Sequence, residues 1–392
     1  MRTVFSLSHY IIIAGIVACC LQRSKAEELK AAPGLVLERH TIARDDKHHL
    51  AWPMVCIAAN GDLVCSYAVG DEHGGGKVPQ AVVRISKDQG HTWSNPIVVD
   101  TLYQDKGEGF MMCRWVSRLN DNSLLLASDW SLWKRKPPGA PHNWGNDPEN
   151  GSKYRRTWLY RSTDNGLTWT GPEKTNCMTV TLTMKQISDG TLFLTGSLYR
   201  VGDDSWRQVL YRSTDNGKTW SKPITVLDAP KYSPNEGCIV EMPDGTLVTY
   251  ERTENETAGA IKMISDDKGL TWKGPFAAGN CWVNGRVFAN RLSTGEVLVV
   301  HRIGKCHFGF FVETPKTALS RIPYDSKTYK SPALNWGFID IENKSHWDGG
   351  YGGWVELPDG DIYAVNYITD DAPKPQIRGY RLSRKALLQP HR

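Results

Sequence analysis

Ser213-Thr214-Asp215-Asn216-Gly217-Lys218-Thr219-Trp220 has the form S-x-D-x-G-x-T-W, and the chain repeats it four times. The other copies run from Ser86 to Trp93, from Ser162 to Trp169 and from Ser265 to Trp272. Every fixed position suits a tight turn. The Asp side chain bonds nearby backbone N–H groups, and the Gly two residues later accepts positive φ. The Ser hydroxyl joins the same local network, while the Trp is an apolar plug that pins the turn to the body of the fold. The phrase therefore reads as a structural β-hairpin turn used once per repeat unit, with its four indoles expected to be buried.

The spacing of these turns gives the period. Asp164, Asp215 and Asp267 lie 51 and 52 residues apart, whereas Asp88 precedes Asp164 by 76, so one unit carries an insertion. A second series of turns, each followed by an apolar strand, falls at Gly61, Asn122, Gly190, Gly245, Gly295 and Gly360. Six turns 50 to 68 residues apart imply six units of about four short strands each. That arithmetic predicts an all-β fold, a six-bladed β-propeller spanning residues 51–383. Residues 27–50 form a lead-in strand that closes the ring, and the basic tail 384–392 is expected to fray. The insertion, Trp130 to Tyr154, is rich in Trp and Pro. Loops of that length tend to carry function.

Composition agrees with a turn-rich β protein: 15 Trp, 15 Tyr and 36 Gly in 392 residues. A net charge of +5, with no basic run longer than Lys134-Arg135-Lys136, excludes the charge pattern of nucleic-acid binding. Residues 1–26 show an n-region, a short apolar stretch from Tyr10 to Cys20 and a small residue, Ala26, at the end. They read as a secretory leader, too short for a transmembrane span. Ile16-Val17-Ala18-Cys19 gives a lipoprotein signal as the alternative, with Cys19 lipidated. The expected address is secreted or periplasmic, and the expected state a monomer. Seven further Cys are scattered without metal-ligand spacing, so they are expected to be buried thiols. No cofactor or metal is expected.

A propeller gathers the innermost strand of each blade around one channel, so matched registers converge there. Counting nine residues back from each hairpin turn residue gives Trp52, Cys113, Thr181, Glu236, Arg286 and Tyr351. Counting seven forward gives Arg252 and Arg302. Where other blades place core residues, these registers deliver Glu, Tyr and Arg. Polar residues at register-matched mouth positions are what a binding site on this fold looks like. The loop Gly70-Asp71-Glu72-His73-Gly74-Gly75-Gly76 adds ionisable groups at the channel rim.

The four S-x-D-x-G-x-T-W phrases resemble the Asp boxes of the sialidase (neuraminidase) superfamily, over roughly residues 50–380. The stretch from Asn235-Glu236-Gly237 to Tyr250-Glu251-Arg252 is similar to that family's Glu-to-Arg segment. Tyr351-Gly352-Gly353-Trp354 resembles the segment bearing its nucleophilic Tyr. The resemblance implies that Glu236 activates Tyr351 and that Arg252 and Arg302 help to hold a substrate carboxylate. A neutral phenol deprotonated by a Glu suits attack beside a negative charge, and an Arg fork binds both carboxylate oxygens. Two departures stand out. Where the family has Arg-Ile-Pro the chain has Ala51-Trp52-Pro53, leaving Arg114 or Arg118 to replace the missing Arg. The acid/base Asp has no direct match, leaving Asp71, Glu72 or His73 as substitutes.

The first reading is thus an exo-acting glycoside hydrolase on sialic acid or another acidic sugar, with an acidic glycan or polysaccharide as its partner. Tyr351, Glu236, Asp71 and His73 are the catalytic candidates. Arg252, Arg302, Arg114, Arg286 and Trp52 are the substrate-binding ones. Two alternatives share the propeller: a polysaccharide lyase or rhamnosidase on uronate-containing glycans, recruiting Tyr351, His73, His301 or His307, and a non-catalytic carbohydrate-binding propeller.

Overall fold

Six four-stranded antiparallel sheets stand in a ring in this computed structural model. It describes residues 31–390 apart from 74–78, 103–107, 134–154, 178–179, 201, 256–258, 280–282, 305, 343–347 and 371. For 108–114, 130–133, 155 and 180–182 it describes the backbone alone. The blades are β2–β5 (49–101), β6–β9 (108–174), β10–β13 (180–227), β14–β17 (234–278), β18–β21 (288–340) and β22–β24 (352–382). The last blade is completed by β1, Val36–Ala43, which pairs antiparallel with β24, Gln376–Leu382. The propeller's first strand therefore begins at Val36, within the segment 27–50 expected to supply the closing strand.

The six turns of the longer series join the first and second strands of each blade, and the Asp boxes join the third and fourth strands of the first four blades. Innermost strands β2 (His49–Ile57), β6 (Glu108–Arg118), β10 (Val180–Gln186), β14 (Pro234–Glu241), β18 (Phe288–Arg291) and β22 (Gly352–Glu356) each lie beside the next around the channel. Their neighbours are apolar on both faces. Leu63, Val64, Leu124, Leu126, Leu192, Leu194, Val248, Val299, Ile362 and Val365 are all buried, because each blade is covered by another on either side.

Each Asp box is built as its sequence suggests. Ser213 Oγ donates to Asp215 Oδ1 at 2.7 Å and accepts from Gly217 N at 2.8 Å. The Thr219 N–H and hydroxyl both bond to Asp215, at 2.9 and 2.6 Å. Thr219 and then Ser213 hold the Asp215 carboxyl at about 2. The residue before the Gly also has positive φ in all four copies: Gln89, Asn165, Asn216 and Lys268. Gly90 allows a close approach, since a Cβ there would stand 2.0 Å from the Tyr363 ring of the last blade. The Tyr363 hydroxyl donates to Gly90 O at 3.0 Å, so the turn also ties the first blade to the last.

Two expectations need correction. Trp93, Trp169, Trp220 and Trp272 are half-buried, not buried. The first three donate their indole N–H to the Gly carbonyl of their own turn, which holds the ring at the propeller's periphery with one face in water. The tail does not fray from residue 384. Arg384–Leu387 is a short helix capped by Ser383, with Leu387 buried and Arg384 Nη1 bonded to Glu356 Oε1 at 2.8 Å. Cys56, Cys65, Cys177, Cys238 and Cys306 are buried, as expected of the scattered cysteines. No described helix is long and apolar enough to cross a membrane. Residues 1–30 and most of the blade-2 insertion lie outside the described residues.

Candidate active site

Backbone irregularity aims the site residues. The inner strands β2, β6, β10 and β14 each carry a register shift at the same level, between Ala51/Met54, Cys113/Trp115, Thr181/Thr183 and Asn235/Cys238. A bulge turns a side chain out of the pleat. At two of these bulges a non-glycine residue sits at positive φ: Trp52 at 55° and Glu236 at 50°. Such a conformation persists only where the surroundings enforce it. Gly237, the next residue, makes room for Glu251 behind the bulge, because a Cβ there would stand 2.3 Å from Glu251 Oε2.

Glu236 faces Tyr351 across the channel. Tyr351 Oη donates to Glu236 Oε2 at 2.9 Å and accepts from Arg252 Nη1 at 3.1 Å. Arg252, on β15 (Leu247–Thr253), also bonds Glu236 Oε2 at 2.6 Å, and its Nη2 lies 2.8 Å from Glu254 Oε1. Two further guanidinium groups flank the phenol ring. Arg302, on β19 (Val297–Ile303), is 4.9 Å from its centroid and Arg286 is 5.7 Å away. Arg302 Nη2 donates to Asn284 O at 2.6 Å. A Cβ at Gly285 would meet Tyr351 Cε1 at 2.6 Å, and one at Gly350 would meet Arg302 Cγ at 2.8 Å. Those two glycines let the Tyr and the Arg pack together.

The electrostatics follow from burial and from these neighbours. Burial is the largest influence on the Tyr351 phenol and raises its pKa; Glu236 adds to that, while Arg252 and Arg302 pull the other way. The phenol is thus neutral at rest and donates to Glu236. Burial opposes the charge on Arg252, but Tyr351, Glu236 and Glu254 outweigh it and hold the guanidinium protonated.

A second group adjoins the first across the junction of the first and last blades. The Tyr367 ring, on β23 (Ile362–Ile368), lies 6.3 Å from that of Tyr351. Its hydroxyl bonds Asp348 Oδ1. Asp348 Oδ2 lies 2.9 Å from His73 Nδ1 and 3.0 Å from His49 Nε2. Trp52 is buried with its ring 5.0 Å from that of His73.

The sequence candidates therefore separate. Glu236, Arg252, Arg286, Arg302 and Tyr351 come together, and Trp52 and His73 meet in the adjoining group. Asp71 is exposed, its backbone carbonyl bonded by Lys374 Nζ at 3.3 Å. The Arg114 side chain lies outside what the structure describes. Arg118 does not replace the missing Arg: it sits at the hairpin-turn end of β6 and donates to Ala58 O at 3.3 Å. His301 is buried against Phe311, its pKa lowered by burial to about 4, and His307 accepts from Glu342 N at 3.2 Å beside Phe338. Both serve the blade's packing. Asp348, Tyr367, His49 and Glu254 were not foreseen. Asp348 had one signal, its place in Asp-Gly-Gly-Tyr just before Tyr351.

A family model described as a BNR repeat-like domain matches residues 139–307, which include three of the four Asp boxes and Glu236, Arg252 and Arg302. No curated protein matches the sequence. Among solved structures, a protein of unknown function from Dyadobacter fermentans is 22% identical, with a TM-score of 0.71, over 90% of this chain and 99% of that one. The Hadza microbial sialidase Hz136 is 15% identical, with a TM-score of 0.62, over 89% of this chain and 69% of that one. The intramolecular trans-sialidase from Ruminococcus gnavus, solved with oseltamivir carboxylate, is 16% identical, with a TM-score of 0.61, over 91% and 98%. Identities this low show a shared fold. The chain thus shares the six-bladed propeller fold of these sialidase structures, and over residues 139–307 it is similar to the BNR repeat-like domain.

Proposed function

We propose that this protein is a glycoside hydrolase that attacks an acidic sugar with Tyr351. The observation that carries the reading is the Tyr351–Glu236 hydrogen bond of 2.9 Å, set beneath two arginines. A buried phenol bonded to a carboxylate is a nucleophile with its base in place. As the phenol oxygen bonds to the anomeric carbon, its proton passes to Glu236 and the glycosidic C–O bond breaks. Arg302 and Arg286 stabilise the phenolate character that develops, and with Arg252 they favour a substrate that brings a negative charge. Water then hydrolyses the glycosyl–tyrosine. A secreted or periplasmic address, read from residues 1–26, is where such glycans are met.

The test uses 4-methylumbelliferyl glycosides of sialic acid and of uronic acids, whose leaving group needs little protonation. Turnover of one of them is expected, with Tyr351→Phe lowering kcat by about 10³-fold or more at an unchanged unfolding temperature. Full activity in Tyr351→Phe would refute the nucleophile. An unsaturated, ultraviolet-absorbing product from a uronate polysaccharide would replace this reading with a lyase.

A further inference from the structure

We propose that His49, His73 and Asp348 form a binding site for a divalent transition ion, with zinc the best match to their donors. Three donor atoms of the right kind converge: His49 Nε2, His73 Nδ1 and Asp348 Oδ2 all lie within 4.8 Å of one another. Both nitrogens approach the same oxygen, at 3.0 and 2.9 Å. In a tetrahedral zinc site with bonds of about 2.0–2.1 Å, ligand atoms stand roughly 3.3 Å apart. Two edges of that tetrahedron are therefore already near their length, and the ion needs only a small outward shift.

The details favour a ligand set over a plain hydrogen-bonded cluster. His49 Nε2 is buried and, among the described residues, makes no well-aligned hydrogen bond, with Asp348 Oδ2 3.0 Å away. The other carboxylate oxygen, Oδ1, is taken by the Tyr367 hydroxyl, the outer contact that orients a metal-binding carboxylate. The ligands come from three separate places: the first residue of β2, the loop after β3 (Leu63–Gly70) and the segment before β22. Three protein ligands with one of them, His73, largely exposed leave a fourth position open to water or substrate, as catalytic zinc sites do. The ion would lie beside Trp52, the residue after Ala51, where the resemblance expects an arginine. That it supplies the missing positive charge to a glycan rests on the acidic-sugar reading, whereas the binding itself does not.

The experiment reads metal, not turnover. The full chain without a polyhistidine tag, freed of metal by chelator, is titrated with Co²⁺ as a coloured stand-in for zinc, and competed with Zn²⁺. One Co²⁺ per chain with a visible ligand-field band, displaced by Zn²⁺, is expected. His73→Ala removes an exposed ligand without threatening the fold and should weaken binding at least about 100-fold. Tyr367→Phe should weaken it about 10- to 100-fold through the carboxylate it orients. His91→Ala alters the other His/carboxylate group, Glu38–His40–His91 on the outer edge, and should leave the band unchanged. Absence of a band, or a band that survives His73→Ala and is lost in His91→Ala, would overturn the proposal.

Discussion

Glu251→Gln should change how stability depends on pH. Glu251 lies in β15 behind the Glu236 bulge, 1% exposed, and among the described residues neither carboxylate oxygen has a well-aligned hydrogen-bond partner. Burial raises its pKa from an ordinary 4.5 to about 8, against a smaller opposing effect of Thr249. The folded state therefore holds this proton where the unfolded chain has released it. Its contribution to stability is complete below pH 4.5 and is lost as the pH rises through 8. Each pH unit of that interval corresponds to ~1.4 kcal/mol, so the whole loss is about 5 kcal/mol. The Gln side chain has the same shape and no proton to lose. His301 acts in the opposite direction: its pKa, lowered to about 4 from 6.5, gives stability that is present above pH 6.5 and lost on acidification. Only the difference between the two proteins isolates Glu251. Urea unfolding of both at half-unit steps from pH 4.5 to 9 should show Glu251→Gln gaining on the wild type up to several kcal/mol at the alkaline end. Parallel curves would show that Glu251 ionises normally and that its surroundings are not as dry as described.

Two stability tests follow from the fold. Lys262 and Glu313 form a fully buried pair at 2.9 Å between the fourth and fifth blades, and Glu313 also binds Tyr250 Oη and Gly279 N. Lys262→Met leaves that carboxylate buried without its cation and should cost about 3–5 kcal/mol in denaturant unfolding. Trp220→Ala should cost only about 2 kcal/mol, roughly half the value for a fully buried Trp, because its indole is half in water. A loss as large as that for Lys262→Met would mean the indole is a core residue after all.

The fold was legible because its signals are local. An Asp box closes its hydrogen bonds within eight residues, so its sequence alone dictates its geometry, and counting boxes and turns counts blades. The Glu236–Arg252–Arg302–Tyr351 group was legible for a second reason. A propeller converts register along a strand into position around the channel. That conversion fails where residues reach the site from outside the strand registers. His49 begins a strand, His73 follows one, Asp348 precedes one, and they meet only because β1 and β24 bring the last blade against the first. The positive φ at Trp52 and Glu236 was hidden for a related reason: a bulge is imposed by packing, and neither side chain signals it. The half-exposure of the four indoles depends on where the periphery of the ring falls, which an eight-residue phrase does not contain.

The departures from the sialidase pattern are unevenly placed, and that bears on the substrate. The Tyr351 side of the site matches that pattern: Tyr351, Glu236 and Arg252 are mutually bonded at 2.6–3.1 Å. The change lies on the first blade, where the resemblance calls for an arginine and the chain has a buried Ala51, next to Trp52. Neither an alanine methyl nor the neighbouring indole can bind a carboxylate with a fork of donors. On the proposed reading, Arg286 and Arg302, which lie 5.7 and 4.9 Å from the centroid of the Tyr351 ring, take over recognition of the acidic group. A substrate that suits this arrangement carries its charge over the phenol and away from Trp52. On the proposed reading, the chain therefore keeps the bond-breaking chemistry of its fold relatives and differs in where on the sugar the negative charge must be. The comparison of sialic acid with uronic acid glycosides decides this directly. Preference for a uronate supports the shifted clamp, while strict preference for sialic acid would mean that the arginine lost from the first blade has been replaced.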